Sequence, residues 1–287
     1  MKKIIFLAII LVPLFLSSCF EWDNYDEPDC AITGTFTDVY TGQPLLASQN
    51  EWQIHAWERS WWGIEGGATQ VVDLRIKQDG TYRNTKLFAG RYDITPDRAP
   101  FWPVATESVE LKSGATTTLN WDVHPYFQIE NFEIVQGTHD FGTFVPTGVQ
   151  PSIVLRCRVR APRRDAQDGT DFGMQYVMAF ISHNQFCGNG TNGRIDVAQY
   201  NGSNRTIGGV NTPMVEGETG RITVNRAWDV EMADRFDLPA GSELSGVYEI
   251  GPLPVKSGYT YQVRIGANSL FAGNRYNYSD IRTVVVP

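Results

Sequence analysis

The chain has 287 residues, 42% hydrophobic and 20% charged, the composition of a folded protein with one large domain or two ordinary ones. Lys and Arg number 24 against 32 Asp and Glu, a formal charge of −8 that argues against a general nucleic-acid binder, which needs a basic field. Frequent breakers, 27 Gly and 15 Pro, disfavour long helices, and four His and four Cys leave little material for a zinc cluster.

Lys2 and Lys3 precede an apolar run over residues 4–16. Roughly a dozen residues are too short for a stable transmembrane helix and fit a signal peptide instead. The run ends in Leu16-Ser17-Ser18-Cys19, which resembles the bacterial lipobox. That resemblance implies cleavage after Ser18 and acylation of Cys19, with residues 1–18 as the signal peptide. Residues 19–30 then read as an acidic tether, carrying Glu21, Asp23, Asp26, Glu27 and Asp29 and no basic residue. The tether is similar to the acidic signal that sends Bacteroidetes lipoproteins to the outer face of the outer membrane. The expected location is therefore the outer membrane, lipid-anchored and facing the cell exterior, with membrane contact through the anchor only. Cys30, Cys157 and Cys187 remain, an odd number that allows at most one disulfide and leaves the pairing open.

From Ala31 onward the apolar pattern has period two and is broken every ten residues or so by Gly, Pro, Asn or Asp. This predicts an all-β protein, and the spacing divides it into two β-sandwich domains in series, over residues 31–123 and 126–287. In the first, Trp52, Ile54 and Ala56 are expected to face the core, leaving His55 and Trp57 outward. Trp61 and Trp62 fall in a loop. Neighbouring residues of an extended segment point opposite ways, so at least one of the two should be accessible.

The opening Ile32-Thr33-Gly34-Thr35-Phe36-Thr37-Asp38, the turn Thr41-Gly42-Gln43-Pro44-Leu45, Asp79-Gly80-Thr81-Tyr82 and Leu87-Phe88-Ala89-Gly90-Arg91-Tyr92 resemble, in that order, the carboxypeptidase regulatory-like (transthyretin-like) domain. The resemblance implies that fold for residues 31–123, with a departure at residues 57–67, which are longer and richer in Trp. Over the whole chain the sequence is similar to a Bacteroidetes lipoprotein family of unknown function, domain-of-unknown-function family 3823. Gln78-Asp79-Gly80-Thr81-Tyr82, Leu87-Phe88-Ala89-Gly90-Arg91-Tyr92, Val123-His124-Pro125-Tyr126 and Gly273-Asn274-Arg275-Tyr276-Asn277-Tyr278-Ser279 carry that likeness. It implies a setting beside starch-utilisation-type outer-membrane transporters and their glycan-binding lipoproteins.

In the second domain strands are expected near 127–135, 151–160, 174–182, 243–250, 259–266 and 280–286, a number and spacing that fit an immunoglobulin- or fibronectin-III-like sandwich. Alternation places Cys157 in the core with Ile153, Leu155 and Val159. Arg156, Arg158 and Arg160 then face outward, either as a stripe for an anionic ligand or as a solvated face matched by nearby Asp165 and Asp168. Residues 259–265 put Tyr259, Tyr261, Val263 and Ile265 on one face, and residues 230–236 read as a single helical turn. Gly188-Asn189-Gly190-Thr191-Asn192-Gly193 fits a dinucleotide fingerprint by letter only, because the following Arg194-Ile195-Asp196-Val197 alternates like a strand.

Catalytic signals are sparse. No nucleophile elbow, zinc-protease helix or calcium loop occurs, and the four His are not at metal-ligand spacing: His55 in a strand, His124 at the linker, His139 and His183 in turns. No enzyme activity, catalytic residue, metal or cofactor is expected. The candidate ligand-binding residues are Trp57, Trp61 and Trp62, because indole rings stack on the C–H faces of sugars and exposed aromatic groups mark contact surfaces. The expected role is a surface-exposed, glycan-binding accessory of a polysaccharide-uptake system. The alternative is a structural or partner-binding subunit that docks an outer-membrane transporter without touching sugar.

Overall fold

In the computed structural model the described residues are 27–60, 70–142, 148–162, 174–189, 194–195, 204–207, 210–213, 221–223, 230–231, 243–269, 272 and 275–287. Period-two sequence has become strand almost throughout. The first domain holds β1 (Cys30–Asp38), β2 (Gln53–Glu58), β3 (Gln70–Arg75), β4 (Thr81–Leu87), β5 (Gly90–Asp97), β6 (Glu107–Leu111), β7 (Thr116–Thr118) and β8 (Trp121–Val123). One sheet centres on β1, antiparallel to β4 and parallel to β7 and β8. The other is antiparallel in the order β3-β2-β5-β6. Their inner faces enclose Phe36, Trp52, Ile54, Tyr82, Tyr92, Ile94 and Trp121. The Phe36 ring lies edge-on to Trp52 at 4.8 Å and stacked with Trp121 at 5.9 Å. The buried Tyr82 hydroxyl donates to Leu119 O at 2.7 Å, so its polar end is satisfied.

The second domain follows with β9 (Gln128–Asp140), β10 (Val149–Ala161), β11 (Met174–Ser182), β12 (Arg194–Ile195), β13 (Asn204–Ile207), β14 (Val210–Pro213), β15 (Arg221–Thr223), β16 (Val230–Glu231), β17 (Glu243–Ser245), β18 (Tyr248–Pro254), β19 (Thr260–Ser269), β20 (Asn277–Tyr278) and β21 (Arg282–Val285). One sheet places β10 between β9 and the β17 and β18 pair, with β16 on β17; the other runs through β11 and β19, flanked by β12, β15, β20 and β21. β13 and β14 form a separate hairpin. Ile153, Leu155, Cys157 and Val159 pack with Val263, Ile265 and Ala267 between the sheets.

Several expectations change at this level. Val230 and Glu231 are a strand paired with Ser245 and Leu244, where a helical turn was expected; the rest of 230–236 lies outside the described residues. His139 sits in β9 opposite Gln150, not in a turn. Residues 243–250 form two strands, β17 and β18, separated at Gly246 and Val247. Tyr259 precedes its strand and is exposed, while Tyr261, Val263 and Ile265 are buried as the alternation required. Arg156, Arg158 and Arg160 do face away from the core, but their described partners are the Glu249 carboxylate at 2.8 Å, Ser245 O at 2.9 Å and the Glu130 carboxylate. Asp165 and Asp168 lie outside the described residues. Cys30, Cys157 and Cys187 are all buried and none is in a disulfide, and burial pushes the Cys157 thiol up to about 12.

β19 is buried along nearly its whole length because both its faces are covered. Val263, Ile265 and Ala267 enter the core of the second domain. Arg264 and Gly266 turn the other way, toward a small cluster of Met178, Phe180, Cys187, Tyr276 and Tyr278 that Leu46 of the first domain packs against. Gly266 is required there: a Cβ would stand 2.8 Å from the Phe180 ring and 3.1 Å from Tyr276 and Tyr278. Gly188, at φ +146°, passes so close to the first domain that a Cβ would meet Ser48 at 2.7 Å.

Polar groups complete this junction. Gln78 accepts from Cys187 N at 2.9 Å and donates to Gln185 O at 3.0 Å, clamping the second domain's backbone with both ends of one amide. Ser48 Oγ donates to Asn189 O at 2.6 Å. Asn277 repeats the device, donating to Pro100 O at 2.8 Å and accepting from Phe127 N at 3.0 Å. Glu51 accepts from Tyr276 N at 3.1 Å and from the Tyr278 hydroxyl at 2.8 Å, while its other oxygen accepts from Ser48 N. Trp102 and Tyr126, with ring centres 5.3 Å apart, carry the apolar contact along the linker.

Candidate functional site

β2 runs between β3 and β5, so its outward side chains are central to an open sheet face. Trp52, Ile54 and Ala56 are fully buried, and the intervening His55 and Trp57 are half-buried on the outer face, as alternation predicted. Trp57 is flanked across the ladder by Val71 on β3 and Asp93 on β5. Val71 is 42% exposed, so the indole is bordered by an accessible apolar shoulder on one side and a carboxylate on the other.

The surrounding polar groups are held in place. His55, whose ring centre lies 5.9 Å from that of Trp57, has Nδ1 2.8 Å from Asp73 Oδ1 and Nε2 3.6 Å from Asp97 Oδ2. The hydrogen bond to Asp73 thus orients the imidazole, with the Asp97 carboxylate near its other nitrogen. Asp93 accepts from Ser108 Oγ at 2.6 Å and from Arg59 Nε at 2.8 Å, and these donors hold its carboxyl below the ordinary carboxylate value. One aromatic face therefore stands in a frame of planar, hydrogen-bonding side chains whose positions are set before any ligand arrives. Such a frame can stack a sugar ring and orient its hydroxyls. Among the described residues no group of three or more His, Cys, Asp or Glu is placed to hold a metal ion.

Trp61 and Trp62, between β2 and β3 in the sequence, lie outside the described residues, as does Cys19. The sequence located Trp57 and His55 but not Asp73, Asp93, Asp97, Arg59 and Ser108 as their company. Those residues meet only through strand register, 15 to 34 residues apart for the hydrogen-bonded pairs. The signal available was the alternation of Arg91, Asp93, Thr95 and Asp97, which marks a polar outer face without naming its neighbours.

Residues 30–124 match the N-terminal domain of the DUF3823 family, proteins of unknown function. This part of the chain is a DUF3823 N-terminal domain. The fold of the chain is similar to that of several solved structures. A candidate carbohydrate-binding protein from Bacteroides uniformis is similar at 18% identity and a TM-score of 0.57, over 90% of this chain and 100% of that one. A DUF3823 family protein from the same organism is similar at 20% identity and a TM-score of 0.55, over 91% and 100%. One from Parabacteroides merdae has 17% identity and a TM-score of 0.50, over 90% and 100%. At these identities the likeness is one of fold. No curated protein matches the chain.

Proposed function

We propose that the protein is a glycan-binding accessory of a polysaccharide-uptake system, held on the cell surface by a lipid on Cys19. The observation that carries this reading is Trp57, outward on a central strand and set among His55, Asp73, Asp93 and Asp97 in fixed orientations. Indole supplies the flat apolar surface that a sugar ring needs, and the ordered carboxylates accept from its hydroxyls. The fold shared with the candidate carbohydrate-binding protein of B. uniformis supports the reading. A glycan array probed with wild type and Trp57→Ala tests it. The variant is expected to lose at least about 1 kcal/mol of binding, roughly fivefold in affinity. A wild type that binds no glycan on the array returns the balance to a subunit that docks a transporter. The anchor has its own test: Cys19→Ala should abolish labelling by a fatty-acid analogue, and protease added to intact cells should remove the wild-type protein.

A further inference from the structure

A second site lies between the domains. A cleft of about 490 Å³ is bordered by Gln49, Lys77 and Asp79 of the first domain and by Phe186, Arg264 and Asp280 of the second. This volume falls within the roughly 300–1,000 Å³ of small-ligand pockets. Arg264 is fully buried, on the inner wall. Its Nη1 donates to Ala47 O at 2.9 Å and Cys187 O at 3.0 Å, and its guanidinium lies 3.8 Å from the centre of the Tyr278 ring. Its Nε and Nη2 are also buried, and among the described residues neither has a hydrogen-bond partner.

We propose that this cleft binds a carboxylate-bearing sugar unit, a uronate, with Arg264 as the receptor for its carboxylate. The two vacant donors are the informative pair. Nε–H and the nearer Nη2–H of a guanidinium point the same way, and their spacing matches the two oxygens of a carboxylate. Leaving charged N–H groups buried and unpaired is costly, and a carboxylate removes that cost. The rest of the lining selects against a bare anion. Asp79 and Asp280 place negative charge beside Lys77 and Arg264, so the cleft offers a compact dianion no strongly positive field. The same carboxylates, with Gln49, are hydrogen-bond partners for hydroxyls, and the half-buried Phe186 ring offers a face for sugar C–H groups. Both guanidinium donors are closed to solvent in this structure, so the carboxylate reaches them only as the exposed Lys77 and Gln185 side chains that line the cleft give way.

The cleft shares no residue with the Trp57 face, so the two sites are tested separately. Titration calorimetry on the chain lacking only residues 1–19 compares digalacturonate and a glucuronate disaccharide with neutral galactobiose, sodium acetate and sodium sulfate. At least one uronate is expected to bind ten-fold or more tightly than galactobiose and than either simple anion. Arg264→Lys, which keeps the charge but loses the paired donors, should weaken uronate binding at least ten-fold. Lys77→Ala, at an exposed position, should weaken it several-fold at unchanged melting temperature, and Trp57→Ala should leave it unchanged. If Arg264→Lys does not fold, Lys77→Ala and the neutral-sugar comparison decide. Absence of uronate binding, equal binding of galactobiose, acetate or sulfate, or uronate binding indifferent to Lys77→Ala would each overturn the proposal. Glycan binding that is lost only with Trp57→Ala would leave the first site standing and this one refuted.

Discussion

Glu51 lies among Ser48, Tyr276 and Tyr278 with Arg264 nearby, and burial pushes its carboxyl up to about 8, against the pull of those hydrogen bonds and of the guanidinium. A value raised above the ordinary 4.5 means that the folded protein binds this proton more tightly than the unfolded chain. The corresponding stability is complete below about 4.5 and is lost as pH rises through about 8. Denaturant titrations of wild type between pH 5 and 9 should therefore show a falling contribution that levels off beyond pH 8. Glu51→Gln keeps the oxygen that serves Tyr276 N and the Tyr278 hydroxyl but presents an amide N–H₂ to Ser48 N. Its stability should be offset downward, with the slope between pH 5 and 8 reduced. An unchanged slope would show that Glu51 does not titrate in this window.

At the scale of the element, β2 has two faces with opposite duties, and mutation should separate them. Trp52 is enclosed by Phe36 and Phe101, and Trp52→Ala should cost about 3–5 kcal/mol of stability in thermal or chemical unfolding. Trp57→Ala, on the half-buried outer face, should cost far less while removing the proposed ligand contact. This division was legible in the sequence, because Trp52, Ile54 and Ala56 alternate with His55 and Trp57 and a strand can place them only one way. β19 was legible on one face only. Tyr261, Val263 and Ile265 announced a core, but nothing local to Arg264 shows that the first domain covers the opposite side. Glu51 was hidden for the same reason: its partners Tyr276 and Tyr278 are more than 220 residues away along the chain. Gln78, Tyr276, Asn277 and Tyr278 belong to the motifs that carry the likeness to DUF3823 proteins. Their place in the structure gives those motifs a physical reason, since all four hold the two domains together.

For the whole molecule, the first domain encloses a core drawn entirely from residues 30–123, and residues 27–124 by themselves should unfold cooperatively, as a small sandwich of this size can. A broad, non-cooperative melt of that fragment would show that the second domain is needed to complete it. In the intact chain the junction at Ser48, Gln78 and Gly188 couples the two units. Gly188→Ala, which forces a Cβ against Ser48, should split one melting transition into two in calorimetry. The chain enters this assembly at β1, which is not an edge strand but lies between β4 on one side and β7 and β8 on the other. A pull on the N-terminus, as drag on a captured polymer would exert against a surface tether, runs along β1. Its hydrogen bonds to both neighbours are then loaded together in shear, whereas an edge hairpin would peel open one bond at a time. With the anchor proposed at Cys19, the strand nearest that point is the one best placed to resist mechanical extraction.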